Sequence, residues 1–238
     1  MFFLILGAVA LNAYALLLVL LRAAVYRTRL YRPMLWNIWL SILPVLVLGV
    51  GGLVGLTLTV VSPISGFVVL GVTGLVWLLL LPNASYLITE LNQSHRSEDD
   101  EVPLWYDIIL VITLAMSGVV NTVLNVFIVH LGVALTLYGD RASALLSPLP
   151  LTAVGVVMLL LGFGMYLGRY PRFNSWDLRH PISFLRKFGE HFGKRENIAA
   201  CAGFTLSYAV FLALIYLVVA GPVLEGLISV ERIRTLLG

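Results

Sequence analysis

Charge is what this sequence lacks most. Only 11% of its 238 residues are Asp, Glu, Lys or Arg, against about 25% in an ordinary soluble domain. Hydrophobic residues make up 60%, and the mean hydropathy is +1.00. A soluble core of this length cannot hide that surplus, so lipid is its natural surrounding. Cysteine is nearly absent as well. Cys201 stands alone in an apolar run, which excludes an internal disulfide and marks it as a small packing residue. The sequence also lacks a Gly-rich phosphate loop, zinc-ligand spacing and a nucleophile elbow, so neither a metal nor a cofactor is expected. It has no internal repeat, which leaves an inverted-repeat transporter without support. The net charge of +3 is carried by Lys and Arg residues lying between apolar runs. There they act as topology determinants, and nucleic acid is not an expected partner.

Six stretches reach the ~20 apolar residues that a membrane crossing needs: 2–21, 34–60, 64–81, 104–138, 150–168 and 198–220. They lack the alternation of a barrel strand, so each is read as a helix. The expected fold is all-α, a polytopic transmembrane helical bundle forming a single domain over residues 1–238. Residues 1–21 hold no Lys or Arg, whereas Arg22, Arg27, Arg29 and Arg32 follow. A cleaved signal has the opposite order, so this stretch reads as an uncleaved span entering from outside. Ser62-Pro63 makes a short hairpin between the second and third spans, and Pro44 with Gly51-Gly52 is expected to kink the second.

The fourth stretch would rise ~50 Å as one helix, well beyond a ~30 Å core, and could instead be two tight passes. Charge decides. With six passes, Arg22 to Arg32, Arg96 and the cluster from Arg169 to Arg195 all fall inside, leaving Arg141, Arg232 and Arg234 outside. Seven passes would put the densest cluster outside, against the positive-inside rule. Six passes with both termini outside the inner (plasma) membrane is therefore the reading. Two segments are expected to lie on the membrane. Residues 181–196 set Leu185, Phe188 and Phe192 at helical spacing among Arg186, Lys187, Lys194 and Arg195, the pattern of a basic interfacial helix. The tail after Pro222 repeats that arrangement with Leu224, Leu227, Ile228 and Leu236.

Three polar clusters border the spans, all at the predicted inner face. In Leu81-Pro82-Asn83-Ala84-Ser85-Tyr86-Leu87, Asn83 reads as the N-cap of a short helix. Asn83, Tyr86 and Glu90 then share one face. A cap plus an interfacial tyrosine would also explain them. The second cluster, Trp105-Tyr106-Asp107, combines belt aromatics with a carboxylate suited to a helix N-terminus. A carboxylate so near an apolar run is nevertheless a functional candidate. The third, Gly168-Arg169-Tyr170-Pro171-Arg172-Phe173-Asn174-Ser175-Trp176-Asp177, holds more than topology requires. Arg169 and Arg172 could fork onto a phosphate, with Asn174, Ser175 and Trp176 beside them.

Together the three motifs resemble an uncharacterised membrane family known as domain of unknown function 1361, over roughly residues 60–200. The family typically has Pro at the position of Ser85 and Asp at that of Glu90. The resemblance implies a multi-pass bacterial inner-membrane protein and implies no activity.

Other features are weaker. Thr113, Ser117, Asn121 and Asn125 form a polar stripe along the fourth span, which reads as interhelical glue before it reads as a solute path. His130, near the outer end of that span, reads as a packed or snorkelling residue before it reads as a ligand. The run Glu98-Asp99-Asp100-Glu101 lacks calcium-loop spacing and reads as a solvated loop.

Three functions remain open. A non-enzymatic membrane component (subunit, scaffold or accessory) is preferred, because no carboxylate pair or histidine constellation announces a reaction. An interfacial enzyme acting on a phosphorylated or lipid-linked substrate would use Glu90, Asp107 and Asp177 as acid–base or metal-binding groups, with Arg169 and Arg172 on the phosphate. A transporter or channel has only the Asn121–Asn125 stripe to support it. The expected partners are the lipid bilayer, an anionic lipid or phosphorylated ligand at the inner face, and another membrane protein. The topology makes a direct prediction. Cysteines placed at Asp140 and Asn174 should react with an impermeant maleimide from outside and inside respectively; outside labelling of position 174 would overturn the six-pass arrangement.

Overall fold

In hydrocarbon no water is at hand for a loose N–H or C=O, so a crossing segment must satisfy its backbone internally. Every apolar stretch does so as an α-helix. The computed structural model describes residues 2–30, 32–89, 102–171 and 181–237. Among these the order is α1 (Phe2–Val25), α2 (Arg32–Val61), α3 (Pro63–Thr89), α4 (Leu104–Tyr138), a 3₁₀ turn (Ala142–Leu146), α5 (Pro148–Arg169), α6 (Pro181–Phe192) and α7 (Arg195–Leu237). No strand occurs among the described residues. All of these α-helices except α6 are long and apolar enough to cross a membrane, and each contains one of the six expected spans.

Proline marks the helix starts. Pro33, Pro63, Pro148 and Pro181 occupy first or second helical positions, where the missing N–H has no helical partner to lose. Pro44, Pro82 and Pro222 instead lie inside α2, α3 and α7, and two of them correct the sequence reading. The third span does not stop at Leu81 with Asn83 capping a new helix. Instead, α3 runs through Pro82 to Thr89, and Asn83 is an interior residue. Likewise the tail after Pro222 is no separate interfacial helix, because α7 continues to Leu237 as one helix of 43 residues, about 65 Å long. A short helix does form near residue 181, but α6 ends at Phe192, before Gly193, instead of running to residue 196. The fourth stretch is a single helix of 35 residues, which removes the two-pass alternative. It is also the most enclosed of the six, with more than half of its apolar core buried.

The contacts gather into two compact units, Met1–Phe127 and Ile128–Gly238. In the first, α2 and α3 pack along their lengths as a hairpin with the single residue Ser62 between them. One end of this unit is closed by Ala15, Leu18 and Val19 of α1, Met34 and Ile38 of α2, Leu87 of α3, and Tyr106, Leu110 and Leu114 of α4. In the second unit α5 packs on α7, and α6 is held against α7.

Glycine permits close helix approaches within the α2–α3 hairpin, where Gly66 faces the Thr59 backbone, and at two further positions. A Cβ on Gly118 would lie 2.8 Å from the Ala84 carbonyl and 2.9 Å from the Leu87 Cβ. On Gly162 it would lie 2.7 Å from the Thr205 carbonyl. Helices in lipid associate by such contact, because no hydrophobic effect drives them together. Gly118→Val and Gly162→Val should each destabilise the protein by roughly 1–3 kcal/mol, measured as a lower unfolding midpoint in detergent. Unchanged midpoints would contradict these close contacts.

Candidate functional site

Asp107 lies in the first turn of α4, where the helix dipole favours an anion. It is also paired. Arg22, in the last turn of α1, donates from Nε to Asp107 Oδ1 at 2.8 Å, with both side chains mostly buried (15% and 18% exposed). Arg22 Nη1 donates to the Thr28 hydroxyl at 3.2 Å, and Thr28 in turn donates to the Arg22 carbonyl at 3.3 Å. That return of the chain needs Arg27 in a left-handed conformation, φ 53°, which costs a non-glycine residue about 1–2 kcal/mol. Tyr106 does not serve as a membrane-belt aromatic. It turns inward, donates its hydroxyl to the Leu18 carbonyl at 2.7 Å and meets Tyr26 edge-on at 5.2 Å. Trp105 stays exposed, as do Trp36 and Trp39 on α2, which suits an interface belt. Asp107 Oδ2 is buried and has no hydrogen-bond partner, alone in this respect among the described side chains.

Two members of the α4 polar stripe, Asn121 and Asn125, are spent between helices, whereas Ser117 donates to the Leu114 carbonyl of its own helix at 2.8 Å. Asn121 and Asn12 of α1 exchange amide hydrogen bonds at 2.8 and 3.0 Å. Asn121 also donates to Ser41 of α2 at 2.8 Å, and Ser41 donates to the Ala84 carbonyl of α3 at 3.3 Å. Trp77 of α3 donates its indole N–H to Asn125 at 2.9 Å, and Asn125 donates to the Asn121 carbonyl at 2.8 Å. Ser85 and Thr122 pair at 2.7 Å. Four helices thus share one hydrogen-bonded chain.

The second unit has two smaller clusters. His130 bridges the Tyr216 hydroxyl (2.7 Å) and the Leu145 carbonyl (2.9 Å), which fixes the 3₁₀ turn to α4 and α7. Its packed role matches the sequence expectation. Around α6, Asn197 donates to the His191 carbonyl at 2.7 Å and faces His191 Nδ1 at 3.5 Å. With Nδ1 accepting, Nε2 carries the ring hydrogen and donates to the Tyr166 hydroxyl at 2.9 Å. Tyr166 then donates to the Asn197 carbonyl at 3.1 Å. Every hydrogen in this ring has one acceptor.

Among the sequence candidates, Asn83 and Tyr86 share a half-buried face of α3, Asp107 is braced by Arg22, and Arg169 is the half-buried last residue of α5. Leu87 points into the bundle. Glu90, Arg172, Asn174, Ser175, Trp176 and Asp177 lie outside the described residues. Among the described residues no group of three His, Cys, Asp or Glu side chains is placed to hold a metal.

Over residues 36–218 the chain matches the family model described as Protein of unknown function (DUF1361). It belongs to that family. No curated protein and no solved structure matches it. The DUF1361 match is wider than the 60–200 stretch carried by the three motifs. It begins at Trp36 within α2, so α1 lies outside it, while Asn121 and Asp107, the partners of Asn12 and Arg22, lie inside.

Sequence reasoning passed over Asn12, Ser41, Trp77 and Arg22, and also the His191–Tyr166–Asn197 ring. A single Asn in the otherwise apolar first span was the one available signal, since such a residue in lipid needs a partner. Arg22 looked like a topology charge and is also an ion-pair partner. Arg22→Gln and Asp107→Asn should each cost roughly 1–3 kcal/mol of stability, a buried-pair loss reduced for the remaining exposure. The charge-swapped chain carrying Arg22→Asp with Asp107→Arg should recover part of it. A double-mutant cycle of unfolding midpoints with no coupling would remove the brace.

Proposed function

We propose that this DUF1361 chain is a non-enzymatic component of a membrane assembly, a subunit, scaffold or accessory, that crosses the inner (plasma) membrane six times with both termini outside. The observation that carries this reading is the way the polar residues of its first unit are spent. Asn12, Ser41, Trp77, Asn121 and Asn125 satisfy one another across four helices. A solute path needs polar groups facing an opening, and these face each other. Asp107, the carboxylate nearest to an apolar run, is held by Arg22 at 2.8 Å, the arrangement of a brace rather than of a free general base.

One observation favours an interfacial enzyme instead. The buried, unpartnered Oδ2 of Asp107 is an acceptor without a donor, and such a group at a helix N-terminus is a place where chemistry could be done. Glu90 and Asp177 would be its partners, and Arg169 and Arg172 the phosphate clamp.

The two readings separate in one experiment. The tagged chain is extracted from its native membrane in mild detergent, and its assembly is sized and its composition determined. A second membrane protein in fixed stoichiometry, retained by the Asp107→Asn chain, is the expected result. A chain that purifies alone and converts a phosphorylated or lipid-linked substrate, with conversion lost in Asp107→Asn, would replace this reading by the enzyme.

A further inference from the structure

Helix α6 has 12 residues, about 18 Å, and cannot cross a ~30 Å core. Crossing therefore does not explain why Ile182 and Leu185 are 84% and 66% exposed on it. Two further aromatic side chains and the histidine of this helix are engaged. Phe188 and Phe192 meet at 4.5 Å with their rings tilted, Phe192 lies 6.3 Å from the Tyr166 ring, and His191 is locked into the ring with Tyr166 and Asn197. These contacts tie α6 to the last turn of α5 and the first turn of α7. Both are ends of apolar spans, where a crossing helix meets the headgroups. Alongside the bare edge, Arg186 is 77% exposed and only loosely paired with Glu190 at 3.9 Å. Lys187 follows it, and Lys194 and Arg195 are exposed beyond the turn.

We propose that α6 is a binding arm for anionic lipid: the clasp at His191 holds it at the bilayer surface, Ile182 and Leu185 enter the acyl boundary, and Arg186 and Lys187 engage the phosphates. An apolar edge flanked by cations is the arrangement that such a surface selects. Charge complementarity chooses a lipid leaflet over a second copy, because two copies would bring like charges together at the same edge. The proposal takes the crossings of α5 and α7 from the reading above but not their direction, so a reversed orientation would leave the lipid response intact.

The test uses the full chain with Cys201→Ser and Leu185→Cys, labelled with a polarity-sensitive fluorophore, in nanodiscs of phosphatidylcholine alone or mixed with phosphatidylglycerol. Ile182→Cys serves as a second label site, so the outcome does not depend on one substitution. Emission should shift to the blue when phosphatidylglycerol is present, and high salt should reverse the shift. Arg186→Gln with Lys187→Gln should abolish it, a loss of about thirtyfold in the ratio of lipid-bound to free arm for two surface cations. Equal emission in both lipids would overturn the proposal, as would a shift that survives the double substitution. A shift that follows protein density rather than lipid charge would assign the edge to a second copy and overturn it too.

Discussion

The reciprocal amide pair between Asn12 and Asn121 is the interaction on which the first unit turns. An amide inside a bilayer has no water to fall back on, and each unsatisfied group costs several kcal/mol. Two asparagines facing each other satisfy a donor and an acceptor on both sides at once. They do so only at one rotation and one height of α1 against α4. Ser41 and Trp77 extend the same demand to α2 and α3. Apolar packing in lipid is permissive about register, whereas this hydrogen-bonded chain is not. The close approach at Gly118 then has the register it needs, one turn before Asn121 on the same helix.

The second unit uses the same physics with different residues. His130 ties a 3₁₀ turn to two helices, and Tyr166 ties an amphipathic helix to two others. In both, an aromatic hydroxyl and an imidazole share a hydrogen and a backbone carbonyl completes the set. Near the last turns of α7 the ties are weaker. Glu231 accepts from the Ser143 N–H at 2.7 Å, while Arg234 and Asp140 face each other across 3.9 Å with both side chains exposed, a separation at which a solvated pair contributes little.

The spans were legible because hydropathy and length are properties of a stretch, and a stretch is what a sequence displays. The extension of α3 past Pro82 and of α7 past Pro222 was not, since a proline breaks a helix in water but is tolerated where neighbours and lipid leave the chain no better option. The stripe of α4 was legible as a stripe. Its partners were not, because Asn12 lies 109 residues away from Asn121 and pairing between distant helices leaves no local mark. Asp107 was found for its proximity to an apolar run, yet the guanidinium that holds it was hidden by a second role. Arginines at span ends satisfy the positive-inside rule whether or not they also pair. The ring around His191 was invisible for a similar reason: its members belong to three helices, and each alone looks ordinary.

The α2–α3 hairpin has a bearing on how the protein enters its membrane. From position 33 to position 89 the sequence contains no Asp, Glu, Lys or Arg, and its two helices are joined by one uncharged residue, Ser62. Nothing in that hairpin resists passage through the bilayer, and nothing inside it marks which end should stay behind. Insertion as a pair carries no charged loop across. The direction of the pair is then left to the cations that flank it, Arg32 and the arginines before it on one side and Arg96 on the other. A hairpin of this kind is oriented by its neighbours.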